Sequence, residues 1–131
     1  MLEVTEKEKI TDISLLNEIF AECKKHSITT CIDDFGAGYA GLTHLVDWRP
    51  DIIKLDMSLT RNINSDKVRR ILVSGIISIC KELDIKIIAE GIETKDEYLT
   101  LADMGINLFQ GFMFAYPSFE SLPVVKHNYW V

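Results

Sequence analysis

Short apolar runs alternate along the chain with longer stretches in which apolar residues recur every three or four positions. Runs at 2–5, 28–33, 51–56, 86–90 and 108–114 are four to seven residues long and rich in β-branched or aromatic residues, which predicts buried strands. Between them the spacing is helical. Thr11 and Asp12 offer a cap to a helix whose stripe is Leu15, Leu16, Ile19, Phe20 and Cys23. A short helix is expected over 39–47. A longer one over 65–83 would place Val68, Ile71, Leu72, Ile76, Ile79, Cys80 and Leu83 on one face. The last opens with a capping box, Thr94-Lys95-Asp96-Glu97, and stops at Gly105 after Met104. The order βαβαβαβαβ predicts an α/β fold of alternating βα units on a parallel sheet.

Composition agrees with one globular domain: 131 residues, 47% apolar, 26% charged, 7 Gly and 3 Pro. The longest apolar stretch, 72–83, is broken by Ser74, Gly75, Ser78, Lys81 and Glu82, so no membrane span is expected. The first residues carry no basic segment leading into an apolar one, which makes a cytoplasmic location the expectation. Cys23, Cys31 and Cys80 form no metal-binding spacing and are expected to be reduced, buried small hydrophobes. A net charge of −6 opposes non-specific binding to polymeric nucleic acid or anionic lipid.

The charge matters most where it gathers. Glu3 and Glu6 are expected to close the first strand, Asp33 and Asp34 the second, and Lys54 and Asp56 the third. Glu90 and Glu93 follow at the fourth, and Gln110 lies in the fifth. In parallel α/β folds chemistry collects at the carboxyl ends of strands, because the loops that follow converge there. Carboxylates about 4 Å apart repel by about 4 kcal/mol at an effective dielectric near 20, so several sharing one pocket call for a cation. All-oxygen donors without His or Cys point to Mg²⁺ or Mn²⁺, with Ca²⁺ a further choice, rather than zinc. The alternative is a set of solvated loop charges and helix caps. His26, His44 and His127 fall outside this pattern. Gly36-Ala37-Gly38-Tyr39-Ala40-Gly41 matches the dinucleotide pattern GxGxxG, but Asp33 and Asp34 stand where a pyrophosphate would have to sit. Lys54 has two readings, a cation for the acidic pocket or an ion pair with Asp56 on the same strand face.

Several blocks together resemble one family. Asp33-Asp34-Phe35-Gly36-Ala37-Gly38-Tyr39, Asp51-Ile52-Ile53-Lys54-Leu55-Asp56, Ala89-Glu90-Gly91-Ile92-Glu93-Thr94 and Phe109-Gln110-Gly111 are similar, in order and separation, to motifs of the EAL-domain family. Glu3-Val4-Thr5-Glu6 resembles that family's E-x-T-E strand. The family comprises bacterial phosphodiesterases specific for cyclic di-GMP. Its resemblance to the chain runs over residues 2 to 119 and covers the C-terminal half of the family's domain, a modified TIM (β/α)8 barrel. The whole chain, 1–131, is thus expected to be one partial EAL domain.

The resemblance also implies roles. Glu3 and Asp33 match metal ligands, Asp34 the second aspartate of a two-metal site, and Glu90 a glutamate of metal binding or water activation. Lys54 matches the lysine beside the attacking water, and Gln110 the glutamine of the pocket. Glu6 matches the residue that holds the loop after Asp34, and Glu93 is a further candidate for substrate or loop positioning. The implied cofactors are two Mg²⁺ or Mn²⁺ ions, and the implied reaction opens cyclic di-GMP to linear pGpG in a signalling role. The Glu-Ala-Leu segment, its neighbouring substrate arginine and the family's asparagine ligand match nothing in the chain, which is therefore expected to be inactive alone and to need a missing N-terminal half or upstream regulatory domain. The alternative is a catalytically silent half-barrel acting through protein contacts or cyclic di-GMP binding. Two unpaired sheet edges and the aromatic residues Phe112, Phe114, Tyr116, Phe119, Tyr129 and Trp130 lead to an expected homodimer.

Overall fold

Alternation of strand and helix gives a sheet in which every neighbour is parallel. The computed structural model describes residues 1–5, 13–38 and 41–125. Its order is β1 (Leu2–Thr5), α1 (Ile13–Lys25), β2 (Thr30–Phe35), α2 (Thr43–Trp48), β3 (Ile52–Leu55), α3 (Met57–Thr60), α4 (Lys67–Glu82), β4 (Lys86–Ala89), α5 (Lys95–Asp103) and β5 (Leu108–Phe109). The five strands lie side by side in sequence order, each parallel to the next. Strand register separates two faces. Val4, Ile32, Ile53, Ile87 and Phe109 share the face covered by helices, where Ile32, Ile53, Leu55 and Ala89 are fully buried. Each large aliphatic side chain buried there contributes about 1.5–3 kcal/mol, an upper bound against a compact unfolded chain. The opposite face carries Glu3, Cys31, Asp33, Ile52, Lys54, Ile88 and Leu108.

Several elements differ from expectation for local reasons. Strand β2 begins two residues later and runs through Phe35. β5 is two residues long, because Gly111 and Phe114 enter a turn in which the Phe114 N–H donates to the Gly111 carbonyl. The short helix begins at Thr43. A one-turn helix, α3, appears in a stretch for which no element was predicted, because Asp56 ends β3 and caps the next turn by accepting from the Ser58 N–H at 2.8 Å. The capping box of α5 forms as expected, with Gly105 at φ +101° beyond its end. On α4, Val73, Ile76 and Cys80 are buried, whereas Val68, Ile71, Leu72 and Ile79, with Leu83 at its C-cap, are exposed. On α1, Phe20 and Cys23 face inward and Leu15 and Ile19 outward. All three cysteines are free and buried. The expected Thr11/Asp12 cap, Glu6, Tyr39, Ala40, His127, Tyr129 and Trp130 lie outside the described residues.

Candidate functional site

Asp33 and Asp34 are adjacent in sequence, and a regular strand would send them to opposite faces. A bulge prevents it. Ile32 pairs with Ile53 and Phe35 with Leu55, so β2 has one residue more than β3 across this interval. Asp34 takes up the difference at φ +55°, in the left-handed region that Asp tolerates better than most residues, and its N–H donates to Asp33 Oδ1 at 2.9 Å. Phe35 thereby returns to the buried face, while both carboxylates stay at the open one. Thr5 at the end of β1 donates from Oγ1 to Asp34 Oδ2 at 3.2 Å. Gly36 follows at φ +97°, where a Cβ would run into Leu59.

The third carboxylate arrives from two strands away. Glu90, just past β4, lies with Asp33 and Asp34 in a group of potential metal ligands whose donor atoms are all within 4.8 Å of one another. Lys54 Nζ stands between two of them, 3.0 Å from Asp33 Oδ1 and 2.8 Å from Glu90 Oε1. The ion pairs of Lys54 therefore run across the sheet, and Asp56, one alternative partner, serves as the α3 cap instead. Burial by itself would lower the Lys54 pKa, but its hydrogen bonds to Glu90 and Asp33 outweigh that and hold the ammonium above its ordinary value. Burial, reinforced by the charges of Asp33 and Asp34, lifts Glu90 above the usual carboxylate range against the pull of Lys54. Glu90 is thus the member of the pair whose negative charge is costly, as expected of a carboxylate beside two others. Burial and then the charge of Glu3 push the Cys31 thiol, on the same face, up to about 12, which leaves it inert as a nucleophile.

The remaining candidates spread around this group. Glu3 sits inside β1 rather than at its end, opposite Cys31 and one row below Asp33, and is exposed. Gln110 is exposed beyond β5; its N–H donates to the Ala89 carbonyl and its carbonyl accepts from the Ile92 N–H, tying β5 to the turn after Glu90. Glu93 points away into an ion pair with Arg61, at 2.6 Å from Nη1. His26 pairs with Glu22 on the surface and His44 stacks on Trp48, both apart from the group. Thr5, Thr60 and Glu97 were not singled out by sequence as parts of the site. Thr5, within the E-x-T-E-like strand, and Glu97, through its capping box, left signals there; Thr60 left none.

Residues 1–117 match the family model described as the EAL domain. The chain belongs to the EAL family. It is 34% identical over 125 residues to the blue light- and temperature-regulated antirepressor BluF of Escherichia coli, covering 95% of this chain and 31% of that protein. Several other curated EAL relatives, 31–34% identical, are cyclic di-GMP phosphodiesterases. Among solved structures, a standalone versatile EAL protein from Vibrio cholerae O395 in its c-di-GMP-bound form superposes with a TM-score of 0.91 at 40% identity, over 97% of this chain and 54% of that one. The manganese/cy-diGMP complex of Klebsiella pneumoniae BlrP1 gives 0.83 at 40% identity, over 88% of this chain and 29% of that one. The chain spans about a third or less of these curated relatives, so the five parallel strands are part of the EAL domain's TIM-like barrel. No helix among the described residues is long and apolar enough to cross a membrane.

Proposed function

We propose that residues 1–131 form one partial EAL domain and supply the C-terminal part of a divalent-metal-dependent phosphodiesterase site that opens cyclic di-GMP to linear pGpG. The observation that carries this reading is the convergence of Asp33, Asp34 and Glu90 around Lys54. Three carboxylates and one ammonium leave a formal charge of minus two, and their all-oxygen donor set suits Mg²⁺ or Mn²⁺. Asp33, Asp34 and Glu90 would hold the cation, and Glu3 would contribute to a second. When bound, the metal supplies Lewis acidity for attack of water at phosphorus. Lys54 keeps its proton throughout and presents positive charge to phosphate oxygens near the carboxylates. Gln110 and Glu93 would position substrate or loop, with Glu6 holding the loop after Asp34. The Klebsiella complex, with manganese and the cyclic dinucleotide, supports the ligand and the metal class. The three free cysteines accord with a cytoplasmic setting.

The test joins the chain to the N-terminal part of an EAL domain and follows cyclic di-GMP hydrolysis with Mg²⁺ or Mn²⁺. The joined protein should hydrolyse, Asp33→Asn should abolish turnover, and Asp56→Asn, which keeps a capping oxygen, should cost far less. Equal losses would refute the assigned roles. The 131-residue chain alone should show no appreciable turnover, and robust hydrolysis by it would overturn that expectation. A second reading, a silent module acting by protein contact or by binding the dinucleotide, is favoured by one relative being an antirepressor and by the exposed apolar stripe of α4. Dinucleotide binding by the joined protein without any turnover would select it.

A further inference from the structure

Three consecutive residues, Thr60, Arg61 and Asn62, grip the turn that begins at Glu90. The Thr60 hydroxyl donates to the Glu90 carbonyl at 2.7 Å. Arg61 makes a two-pronged ion pair with Glu93, at 2.6 and 2.7 Å. The Asn62 N–H donates to Glu97 Oε1 at 2.9 Å, and Glu97 Oε2 accepts from the N–H groups of Glu93 and Thr94, each at 3.1 Å. Glu97 is 2% exposed, and burial by itself would raise its pKa; these backbone donors outweigh burial and hold it below the ordinary range. Inside the ring the chain has no slack. Asn62 and Gly91 both adopt positive φ, a Cβ at Gly91 would press on Met57, and the Glu90 N–H is bound to the Leu55 carbonyl at 3.2 Å.

We propose that Glu97 is a positioning residue for the Glu90 carboxylate: by tying Asn62 to the far end of the 90–94 turn, whose near end Thr60 holds, it closes a ring that fixes Glu90 opposite Asp33 and Asp34. The inference deepens the reading of those three carboxylates as a divalent-cation site and rests on it. A glutamine could not replace Glu97, because its amide has one acceptor oxygen for donors arriving on both sides, and its NH₂ would face an N–H. Residues behind metal ligands commonly matter by ten- to a hundredfold in affinity.

Amide hydrogen exchange on the metal-free 131-residue chain, paired with an Mn²⁺ titration read by electron paramagnetic resonance, tests the proposal. Glu97→Gln should speed exchange at Asn62, Glu90, Glu93 and Thr94, leave Ile53 protected, and weaken Mn²⁺ binding about tenfold or more. A purely structural role would lower the melting temperature and leave the affinity of the folded protein alone. A folded Glu97→Gln chain with wild-type Mn²⁺ affinity, or wild-type exchange at Glu90, overturns the proposal. If Glu97→Gln does not fold, Thr60→Val opens the ring at its other link and must produce the same two changes, or the proposal fails. If the unsubstituted chain takes up no Mn²⁺, the cation reading falls by itself, and exchange at Glu90 alone decides whether Glu97 positions it.

Discussion

A Cβ on Gly111 would run into the backbone of Ile92, whereas one on Gly75, in the middle of α4, would meet nothing within 4 Å. Gly111→Ala must therefore push β5 away from the turn that follows Glu90, at a cost of about 1–3 kcal/mol or more. Gly75→Ala replaces a flexible residue in a helix interior and should stabilise by about 0.5–1 kcal/mol. Urea titration of the two variants should show midpoints moving in opposite directions. Glu97 has a pH signature of its own. Because its folded pKa lies below the ordinary value of 4.5, its stabilisation is complete above that value and is lost as the pH falls through the lower, folded one. Between about pH 6 and pH 3 the unsubstituted chain should lose more stability than Glu97→Gln, measured by urea midpoints at each pH. Nothing in the composition separates Gly111 from Gly75, or Glu97 from its neighbours; what separates them is what approaches each from a different element.

Helix α4 shows how far periodicity reaches. Its residues recur at helical spacing, which the sequence showed as a stripe, and Asp66 caps it by accepting from the Arg69 N–H at 3.0 Å, a start that the stripe did not mark. The stripe itself is wider than the face that packs. Ile76 and Cys80 turn inward with Val73, while Val68, Ile71 and Leu72 remain outside, because a single sheet can cover only part of a helix's circumference. Ile76→Ala should cost about 2–5 kcal/mol, and Leu72→Gln should stay within about 0.5 kcal/mol for the monomer, both by urea denaturation. Strand β2 fails in a different way. Its apolar run was legible, but the extra residue at Asp33–Asp34 that turns two adjacent carboxylates to one face has no signature in periodicity, since it depends on pairing with β3.

For the molecule as a whole, both edge strands are short, and apolar side chains remain outside on several elements: Ile71 and Leu72 on α4, Leu42 before α2, and Phe112 and Phe119 near the carboxyl end. A small domain rarely leaves so much apolar surface in water, so the 131-residue chain is expected to self-associate at low micromolar concentration. Sedimentation velocity checks it, and Leu72→Glu should shift the distribution towards monomer; a compact monomer throughout would show that the exposed stripe needs no partner. The alternation of apolar runs determined the βα order, and the blocks around Asp33, Lys54, Glu90 and Gln110 carried the EAL family, because strand periodicity and short motifs are local properties of a chain. Which carboxylates meet was decided only by tertiary structure. Asp33, Asp34 and Glu90 converge while Glu3 stands a row away and Glu93 turns to Arg61, and Lys54 reaches across strands instead of to Asp56. Those outcomes depend on register, on one bulge and on a ring of side-chain-to-backbone hydrogen bonds between elements far apart in sequence, and such couplings exist only once the strands lie side by side.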